Sequence, residues 1–301
     1  MARTVIRHAN GSVSVRSWAE FGYELVCIVP YAYWHHQRGL LLATVGVEGS
    51  AASFFFSPSH IEVRNMVRHQ DNHAVYGIEA GVDGLNKRNH VVPFQLHRWA
   101  MPPFAMHYRQ HPLATTLRRR WPRLVIVHNK RSDWPTKPGH RSEFSEHQLA
   151  QLLGTLGRHR MQVLYICPSG DGPGRGFTHD HRDGKAEVRR LSCLQANYRK
   201  VLASHSAVLL QDVLDEFGIG WNEGQYAAHA SARCFVSCQG GTAIISSLFG
   251  GINLIYDVWP DSGERSTGEY HRLHAAFSNV SIRVATSFEN LVNQTEELDI
   301  I

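Results

Sequence analysis

Apolar, β-branched runs alternate with segments of helical periodicity along the second half of the chain. The runs that predict strands are 123–128 (RLVIVH), 162–167 (QVLYIC), 207–210 (AVLL), 234–238 and 253–256. The segments that predict helices are 145–156, 185–204, 222–230, 242–248 and 287–295, and the first of these opens at Ser145 with a capping box. Strands and helices in alternation indicate a parallel sheet with helices on both faces.

The first half of the chain has a weaker pattern. Apolar residues at helical spacing predict a helix over 25–34 in spite of Pro30. The run Phe54-Phe-Phe56 predicts a buried strand that ends in a turn. We therefore expect this half to form a smaller α/β unit of its own.

Length and composition agree with two globular domains. A chain of 301 residues suits two domains of roughly 150 residues each. A hydrophobic content of 43% with 19% charged residues is typical of a protein with a sizeable core. A loop over 99–103 leads toward the second domain, and we place the boundary near residue 115. The expected domains are residues 1–115 and 116–301.

Charge limits the classes of partner. The formal net charge is +5 and arginines cluster at 118–120 and 189–190, which suits an anionic ligand, although such runs are more often solvated surface. The basic residues do not alternate with aromatic residues along one element, so we expect no nucleic-acid partner.

Cysteine usage and hydropathy bear on the compartment. The five cysteines are odd in number and scattered, mostly in apolar runs, which indicates a reducing compartment rather than a disulfide framework. Cys234 and Cys238 have no second pair to complete a zinc site, and buried apolar packing is the simpler interpretation. The sequence shows no signal peptide and no uncharged apolar run of about 18 residues. We expect a cytoplasmic protein without a transmembrane segment.

Polar or glycine-rich segments follow four of the predicted strands at their carboxyl ends. They are 128–134 (HNKRSDW), 168–175 (PSGDGPGR), Gln211-Asp212 and 239–242 (QGGT). The carboxyl ends of parallel strands lie along one edge of a sheet, and α/β proteins bind ligands at that edge. The pattern therefore predicts one ligand-binding rim.

The segment 233–251 is the strongest ligand candidate on this rim. It predicts a buried strand, a Gly-Gly turn, and a short helix that begins near Thr242. Backbone N–H groups around Gln239, Gly240 and Gly241, with the positive end of the helix dipole, suit a phosphate or diphosphate. The alternative is an ordinary strand-to-helix turn that uses glycine only for its dihedral freedom.

Three segments carry a resemblance to a known family. His128-Asn-Lys-Arg-Ser-Asp-Trp134 resembles the His-x-Arg-Arg-Gly-Asp-Tyr segment of fucosyltransferases that use GDP-fucose. Phe21-Gly-Tyr-Glu-Leu25 is similar to their Gly-Asn-Gln-Leu loop, and 237–251 resembles the loop and helix that hold the donor phosphates. The resemblance implies an α/β fold of the GT-B type, with two Rossmann-like domains facing a cleft. The N-terminal domain would then serve the acceptor and the C-terminal domain the nucleotide sugar.

This family resemblance also implies a function. It implies a glycosyltransferase that moves a sugar, fucose in that family, from a nucleoside-diphosphate sugar to a hydroxyl of a glycan or glycoconjugate acceptor. No metal or other cofactor is expected, because side chains of GT-B enzymes take the metal's place. The residues that we assign to donor binding are Gly22, His128, Asn129, Asp212, Gln239, Gly240, Gly241 and Thr242.

The chemistry of sugar transfer suggests the catalytic residues. Negative charge develops on the leaving diphosphate, and Lys130 and Arg131 are placed to stabilise it, unless they are only a solvated loop pair. Transfer with inversion also needs a base for the acceptor hydroxyl, and the candidates are Glu24 and Asp133. Asp133 could instead cap the turn or pair with Arg131.

Two departures from the family pattern, and one histidine-rich loop, leave other functions open. Lys130 stands where the family has its first arginine, so a binding protein without catalysis is one alternative, while Tyr23-Glu24 replaces Asn-Gln. The other alternative is a metal-dependent phosphoester or nucleotide hydrolase that uses His179-Asp-His-Arg-Asp183. That segment lies in a Gly-rich loop with no evident distant ligand, a pattern more typical of a mobile polar loop.

Overall fold

The computed structural model describes residues 5–19, 21–64, 98–129, 144–167, 196–258 and 277–298. These residues belong to two compact units. The first unit holds the described residues up to Pro103 together with Gly220–Glu223. The second holds the described parts of Phe104–Gly170, Arg189–Ile219 and Gly224–Ile301.

The first unit is built on a four-stranded sheet. Its strands, in spatial order, are β1 (Val5–Arg7), β2 (Val13–Arg16), β3 (Leu41–Val47) and β4 (His60–Val63). The first pair is antiparallel, whereas β2, β3 and β4 run parallel. A helix connects the parallel strands β2 and β3, as is usual for parallel neighbours.

The helix between β2 and β3 contains a π-helical segment. It comprises α1 (Phe21–Tyr23), the π segment (Glu24–Ile28) and α2 (Val29–His36). The predicted helix over 25–34 is therefore confirmed. Pro30 is tolerated because it lies in the first turn of α2, where its missing N–H breaks no α-helical hydrogen bond.

The strand predicted at Phe54-Phe-Phe56 is wrong. These residues form a turn after a short 3₁₀ helix (Ser50–Ala52), and the next strand begins at His60. Phe54 is buried and its ring stacks on His60 at 5.3 Å. A short apolar run in a sequence does not distinguish a strand from a turn whose aromatic side chains pack into the core.

The second unit is built on a six-stranded sheet in which every pair of neighbours is parallel. From one edge to the other the order is β7-β6-β5-β8-β9-β10. The strands are β5 (Leu124–His128), β6 (Gln162–Ile166), β7 (Val208–Leu209), β8 (Cys234–Cys238), β9 (Ile252–Tyr256) and β10 (Ser281–Ala285). Every residue of β5 and β8 is buried, as expected for strands covered on both faces.

Helices connect and flank these strands. They are α3 (Phe104–Arg109), α4 (Pro112–Arg120), α5 (Glu146–Arg158), α6 (Ala196–Ser204), α7 (Leu210–Phe217), α8 (Trp221–Ser231), α9 (Gly241–Ser247) and α10 (Phe288–Glu296). The predicted capping box of α5 is confirmed, since Ser145 Oγ accepts from Gln148 N at 3.3 Å and Gln148 Oε1 accepts from Ser145 N at 3.0 Å. The helix predicted over 185–204 is described only from Ala196.

The α/β fold class predicted from the sequence is confirmed in both units. The N-terminal part of the first unit ends at Pro103, whereas we placed the boundary near residue 115, and Gly220–Glu223 also belongs to this unit. Phe104 explains the difference, because its ring packs against Tyr226 at 5.2 Å within the second unit. None of the helices in the described ranges is long and apolar enough to cross a bilayer.

The cysteines follow the sequence expectation only in part. Cys27, Cys234 and Cys238 are free and buried. Cys167 is disulfide-bonded. The expectation of scattered reduced cysteines therefore fails at Cys167, because spacing along the chain does not reveal which thiols meet in space.

Candidate functional site

The second sheet has a topological switch point between β5 and β8. Numbered from its own first strand, the sheet has the order 3-2-1-4-5-6. The chain builds β6 and β7 on one side of β5, and β8, β9 and β10 on the other. A crevice outside the carboxyl ends of the two central strands is the usual ligand site of such sheets.

The carboxyl ends of β5 and β8 are side by side. His128 of β5 is in register with Ser237 of β8. His128 and Asn129 therefore lie beside the turn that contains Gln239, Gly240 and Gly241. Two segments that we assigned to donor binding separately are thus neighbours in the structure.

The turn between β8 and α9 requires glycine. Gly240 has φ 111° and ψ −147°, a conformation that is essentially confined to glycine. The N–H of Gln239 donates to Tyr256 O at 3.0 Å, so it continues the ladder with β9. Thr242 is buried and its hydroxyl donates back to Cys238 O, which closes the turn.

A buried amide holds α9 against the sheet. Asn253 of β9 accepts a hydrogen bond from Ser237 Oγ at 2.8 Å. Its Nδ2 donates to Ala243 O at 3.2 Å and to Ser247 Oγ at 3.0 Å. Asn253, Ser237, Ala243 and Ser247 are fully buried, so these bonds connect two strands and one helix without solvent. Such packing makes the turn rigid.

His229 lies beneath α9 as a neutral imidazole. It is fully buried on α8, and burial lowers the pKa of His229 to about 4, although the hydrogen bond to Gln225 O acts in the opposite direction. Its Nδ1 lies 2.7 Å from Gln225 O and its Nε2 lies 3.3 Å from Ser246 Oγ. The rings of His229 and His128 are 5.6 Å apart. The polar contacts of α9 therefore extend into the core below the switch point.

Asn129 follows β5 directly and is 2% exposed. Its N–H donates to Ile166 O at 2.9 Å, which ties it to β6. Its side-chain amide bonds to Phe144, Tyr165 and Cys238. The first residue after β5 is therefore held by groups from both neighbouring strands.

Comparisons with known proteins give weak similarities. No protein-family model and no curated protein matches the chain. A glycosyl transferase family 9 structure from Veillonella parvula DSM 2008 is 8% identical, over 95% of this chain and 89% of that one, with a TM-score of 0.48. The E. coli heptosyltransferase WaaC with ADP is 11% identical, over 94% and 71%, with a TM-score of 0.34. Because both TM-scores are below 0.5, we draw no conclusion about this chain from either similarity.

Several predicted site residues lie outside the described residues. They are Lys130, Arg131 and Asp133, and also His179, Asp180, His181 and Asp183 of the hydrolase alternative. In the ranges that the structure describes, no three His, Cys, Asp or Glu residues are grouped so as to hold a metal ion. The roles assigned to these residues stay predictions.

Asp212 is not at the switch point. It lies in the first turn of α7, its side chain is 52% exposed, and it forms an ion pair with Arg199 at 3.4 Å. The strand before α7 is β7, and β6 lies between β7 and the central strand β5. The strand predicted over 207–210 is only two residues long, because the amphipathic segment from Leu210 to Phe217 forms α7.

Glu24 and Gly22 belong to the first unit. Glu24 opens the π segment, is fully buried, and accepts a hydrogen bond from Ser17 Oγ. π-helical turns occur frequently at functional sites. Burial lowers the pKa of nearby His60, whereas Glu62 and Glu24 act in the opposite direction. A carboxylate enclosed in this way needs a conformational change before it can meet a substrate.

Asp257 is a rim residue that the sequence analysis missed. It follows β9 directly, is 2% exposed, and donates its N–H to Ala285 O at 2.9 Å. This places a buried carboxylate at the same edge of the sheet as the turn at Gly240. The sequence feature that could have indicated Asp257 is its position immediately after the apolar run 252–256.

Proposed function

We propose that this chain is a glycosyltransferase that moves a sugar from a nucleoside-diphosphate sugar to a hydroxyl group of a glycan acceptor, without a metal ion. One observation carries the proposal. Two segments assigned to donor binding, His128-Asn129 and 239–242, are neighbours at the switch point of an all-parallel sheet with the order 3-2-1-4-5-6. Sheets of this order bind nucleotides at that point.

In this proposal the β8–α9 turn accommodates the diphosphate. Gly240 and Gly241 have no side chains, so a phosphate can approach the backbone closely. Lys130 and Arg131 follow Asn129 in the chain, and in this proposal their positive charges stabilise the charge that develops on the leaving diphosphate.

The acceptor side of the proposal belongs to the first unit. Glu24 or Asp133 would take the proton of the acceptor hydroxyl as the glycosidic bond forms. For Glu24 this requires acceptor binding to expose the buried carboxylate, a gating step of the kind many enzymes use. Fucose as the sugar and GDP as the nucleotide are the finer form of the proposal, and the family resemblance of 128–134 and 21–25 supports them.

The test is a binding panel of GDP, UDP, CDP, ADP and dTDP. Thermal shift and calorimetry are run first in EDTA and then with Mg²⁺ or Mn²⁺. We expect one diphosphate to bind without metal, and its sugar conjugate to be consumed when glycan acceptors are added. Binding without any turnover would favour the binding-protein alternative. A response that requires metal, with phosphate release and no acceptor, would instead favour the hydrolase with the 179–183 segment.

A further inference from the structure

His35 is a buried histidine whose ring nitrogens have no hydrogen-bond partner. It lies in the last turn of α2, in the first unit, and is only 2% exposed. Among the described residues, no group bonds to its Nδ1 or its Nε2. A neutral imidazole has one N–H donor and one acceptor nitrogen. Buried polar groups in native proteins are nearly always hydrogen-bonded, so this ring points to a bound water molecule or ion.

Aromatic contacts hold the ring of His35 in place. Its centroid lies 4.7 Å from that of Tyr31 and 4.9 Å from that of Trp34, and both contacts are edge to face. This packing gives the ring a defined position without a hydrogen bond to either nitrogen.

Two arginines lie around the same indole. The guanidinium carbon of Arg38 lies 3.5 Å from the centroid of the Trp34 ring, and that of Arg98 lies 6.0 Å from it. Arg38 also donates to Trp34 O at 3.2 Å, which holds it at the end of α2. The chain near Arg98 runs beside the same helix, because Ala100 N donates to Pro30 O at 3.2 Å. Two positive charges therefore flank the residue next to His35.

Arg7 reaches the same end of α2 from strand β1. It is in register with Val13 of β2, whose N–H donates to Leu40 O at 2.8 Å. The N–H of Leu40 in turn donates to His35 O at 3.0 Å. Arg7 and Arg38 are exposed, and within the described ranges neither forms an ion pair with a carboxylate. A third positive charge thus stands at this end of the helix.

The charges that act on His35 are all positive. Burial, followed by the charges of Arg7, Arg98 and Arg38, lowers the pKa of His35 to about 4. At neutral pH the imidazole is therefore uncharged and carries one N–H. Three cations beside a buried N–H donor favour an anion over a water molecule as its partner.

We propose that His35 and these three arginines form an oxyanion-binding site. It takes a phosphate or carboxylate group, either as the free ion or as part of a larger molecule. The imidazole N–H and the guanidinium groups donate to the oxygens of the anion. The ligand enters from the side of the exposed Arg7 and Arg38, whose side chains move to admit it, because His35 itself is buried. The inference is independent of the proposed sugar transfer and assigns no step of it to these residues.

The first experiment is a titration of the full chain with inorganic phosphate, methyl phosphate and acetate. Chloride at equal ionic strength is the control, and the ring nitrogens are followed by two-dimensional ¹H–¹⁵N NMR. The chain has 20 histidines, and the signals that His35→Phe removes are those of His35. We expect phosphate or acetate to shift these signals saturably, whereas chloride leaves them unchanged. Methyl phosphate that binds as well as phosphate assigns the site to a group on a larger ligand, and binding weaker by about tenfold or more assigns it to the free ion.

Arg7→Gln and Arg38→Gln test the arginines by calorimetry. Each removes a charged donor, so the oxyanion affinity should fall by about tenfold. Arg64→Gln is the matched control, because it removes the same charge just after β4, at the opposite edge of the described sheet from β1. Its affinity should differ from the wild type by less than about twofold.

His35→Phe separates ligand binding from stability. Phenylalanine keeps a ring of similar shape and removes both unpartnered nitrogens, so without oxyanion the variant should melt at the wild-type temperature or above it. The oxyanion should raise the melting temperature of the wild type and leave that of the variant unchanged. If His35→Phe does not fold, the exposed arginine variants and their Arg64→Gln control decide the question.

Two results would overturn the inference. One is a wild-type protein that neither phosphate, methyl phosphate nor acetate affects, in the NMR signals or in calorimetry, which would leave a buried water molecule as the partner of the imidazole. The other is an equal loss of affinity in Arg38→Gln and Arg64→Gln, which would mean nonspecific attraction to a positively charged surface. Neither result bears on the nucleotide-binding panel, so the proposed function is judged separately.

Discussion

Replacement of Asn253 by alanine tests the buried network that holds the β8–α9 turn. The wild-type amide accepts from Ser237 Oγ and donates to Ala243 O and Ser247 Oγ. In Asn253→Ala the hydroxyl of Ser237 loses this acceptor in a solvent-free environment. Ser247 and Ala243 remain bonded to each other at 2.7 Å, so those two groups keep one partner.

These contacts determine the expected size of the effect. An orphaned buried hydroxyl costs about 1–3 kcal/mol, and each further lost hydrogen bond contributes about 1 kcal/mol. The truncation also leaves a small cavity in a fully buried position. We expect Asn253→Ala to lower the free energy of unfolding by about 3–5 kcal/mol. Ser237→Ala leaves the buried Oδ1 of Asn253 without this donor, so it should lower the free energy of unfolding by about 1–3 kcal/mol.

The assay is urea unfolding of the wild type, both single variants and the double variant. Equal m-values are required before the free energies are compared. The double-mutant cycle should give a coupling of about 0.5–3 kcal/mol between Ser237 and Asn253. A loss below about 1 kcal/mol in Asn253→Ala, or additive effects of the two substitutions, would refute the reasoning.

Three other predictions concern the turn, the buried histidine and the candidate base. Gly240→Ala should lower the free energy of unfolding by about 1–3 kcal/mol and abolish pyrophosphate binding in calorimetry, because the φ angle of Gly240 is 111°. Gly157→Ala is the control, since its added Cβ meets no atom within 4 Å and the substitution should be neutral or stabilising. The pKa of His229 is lowered to about 4, below its unfolded value, so the unfolded state binds more protons between about pH 6.5 and 4 and the free energy of unfolding decreases as the pH falls through this range. His229→Phe should weaken that pH dependence in urea titrations. Glu24→Gln should reduce kcat by about 10²–10⁴ with unchanged donor Kd, and normal turnover would remove Glu24 as the base.

The sheet of the second unit was largely predictable, because its buried strands are short apolar runs between helical patterns. Two elements were not. The segment 281–285 forms the edge strand β10 although Arg283 interrupts its apolar run, and only pairing with β9 reveals it. The segment from Leu210 reads as a strand over its first residues, but the apolar positions of the following turn select a helix.

The candidate site was predictable at the level of segments and not of side chains. Parallel strands place their carboxyl ends along one edge, so the proximity of 128–129 and 239–242 follows from the fold class. The hydrogen bonds of Asn129 with Phe144 and Tyr165 could not be predicted, because these residues approach it only through tertiary packing. The ion pair of Asp212 with Arg199 is a helix-surface contact that strand-end reasoning overlooks.

We expect the pairing of β5 with β8 to form late in folding, because it joins distant parts of the chain. Asn129 and Cys238, which meet there, are 109 residues apart in the chain. Closing so long a loop has an entropic cost that is incurred before the contact contributes any stability. A ligand held across this pair can bind only after both halves of the sheet have joined. Its occupancy would therefore report complete assembly of the unit, and it would slow unfolding by resisting separation of the two halves.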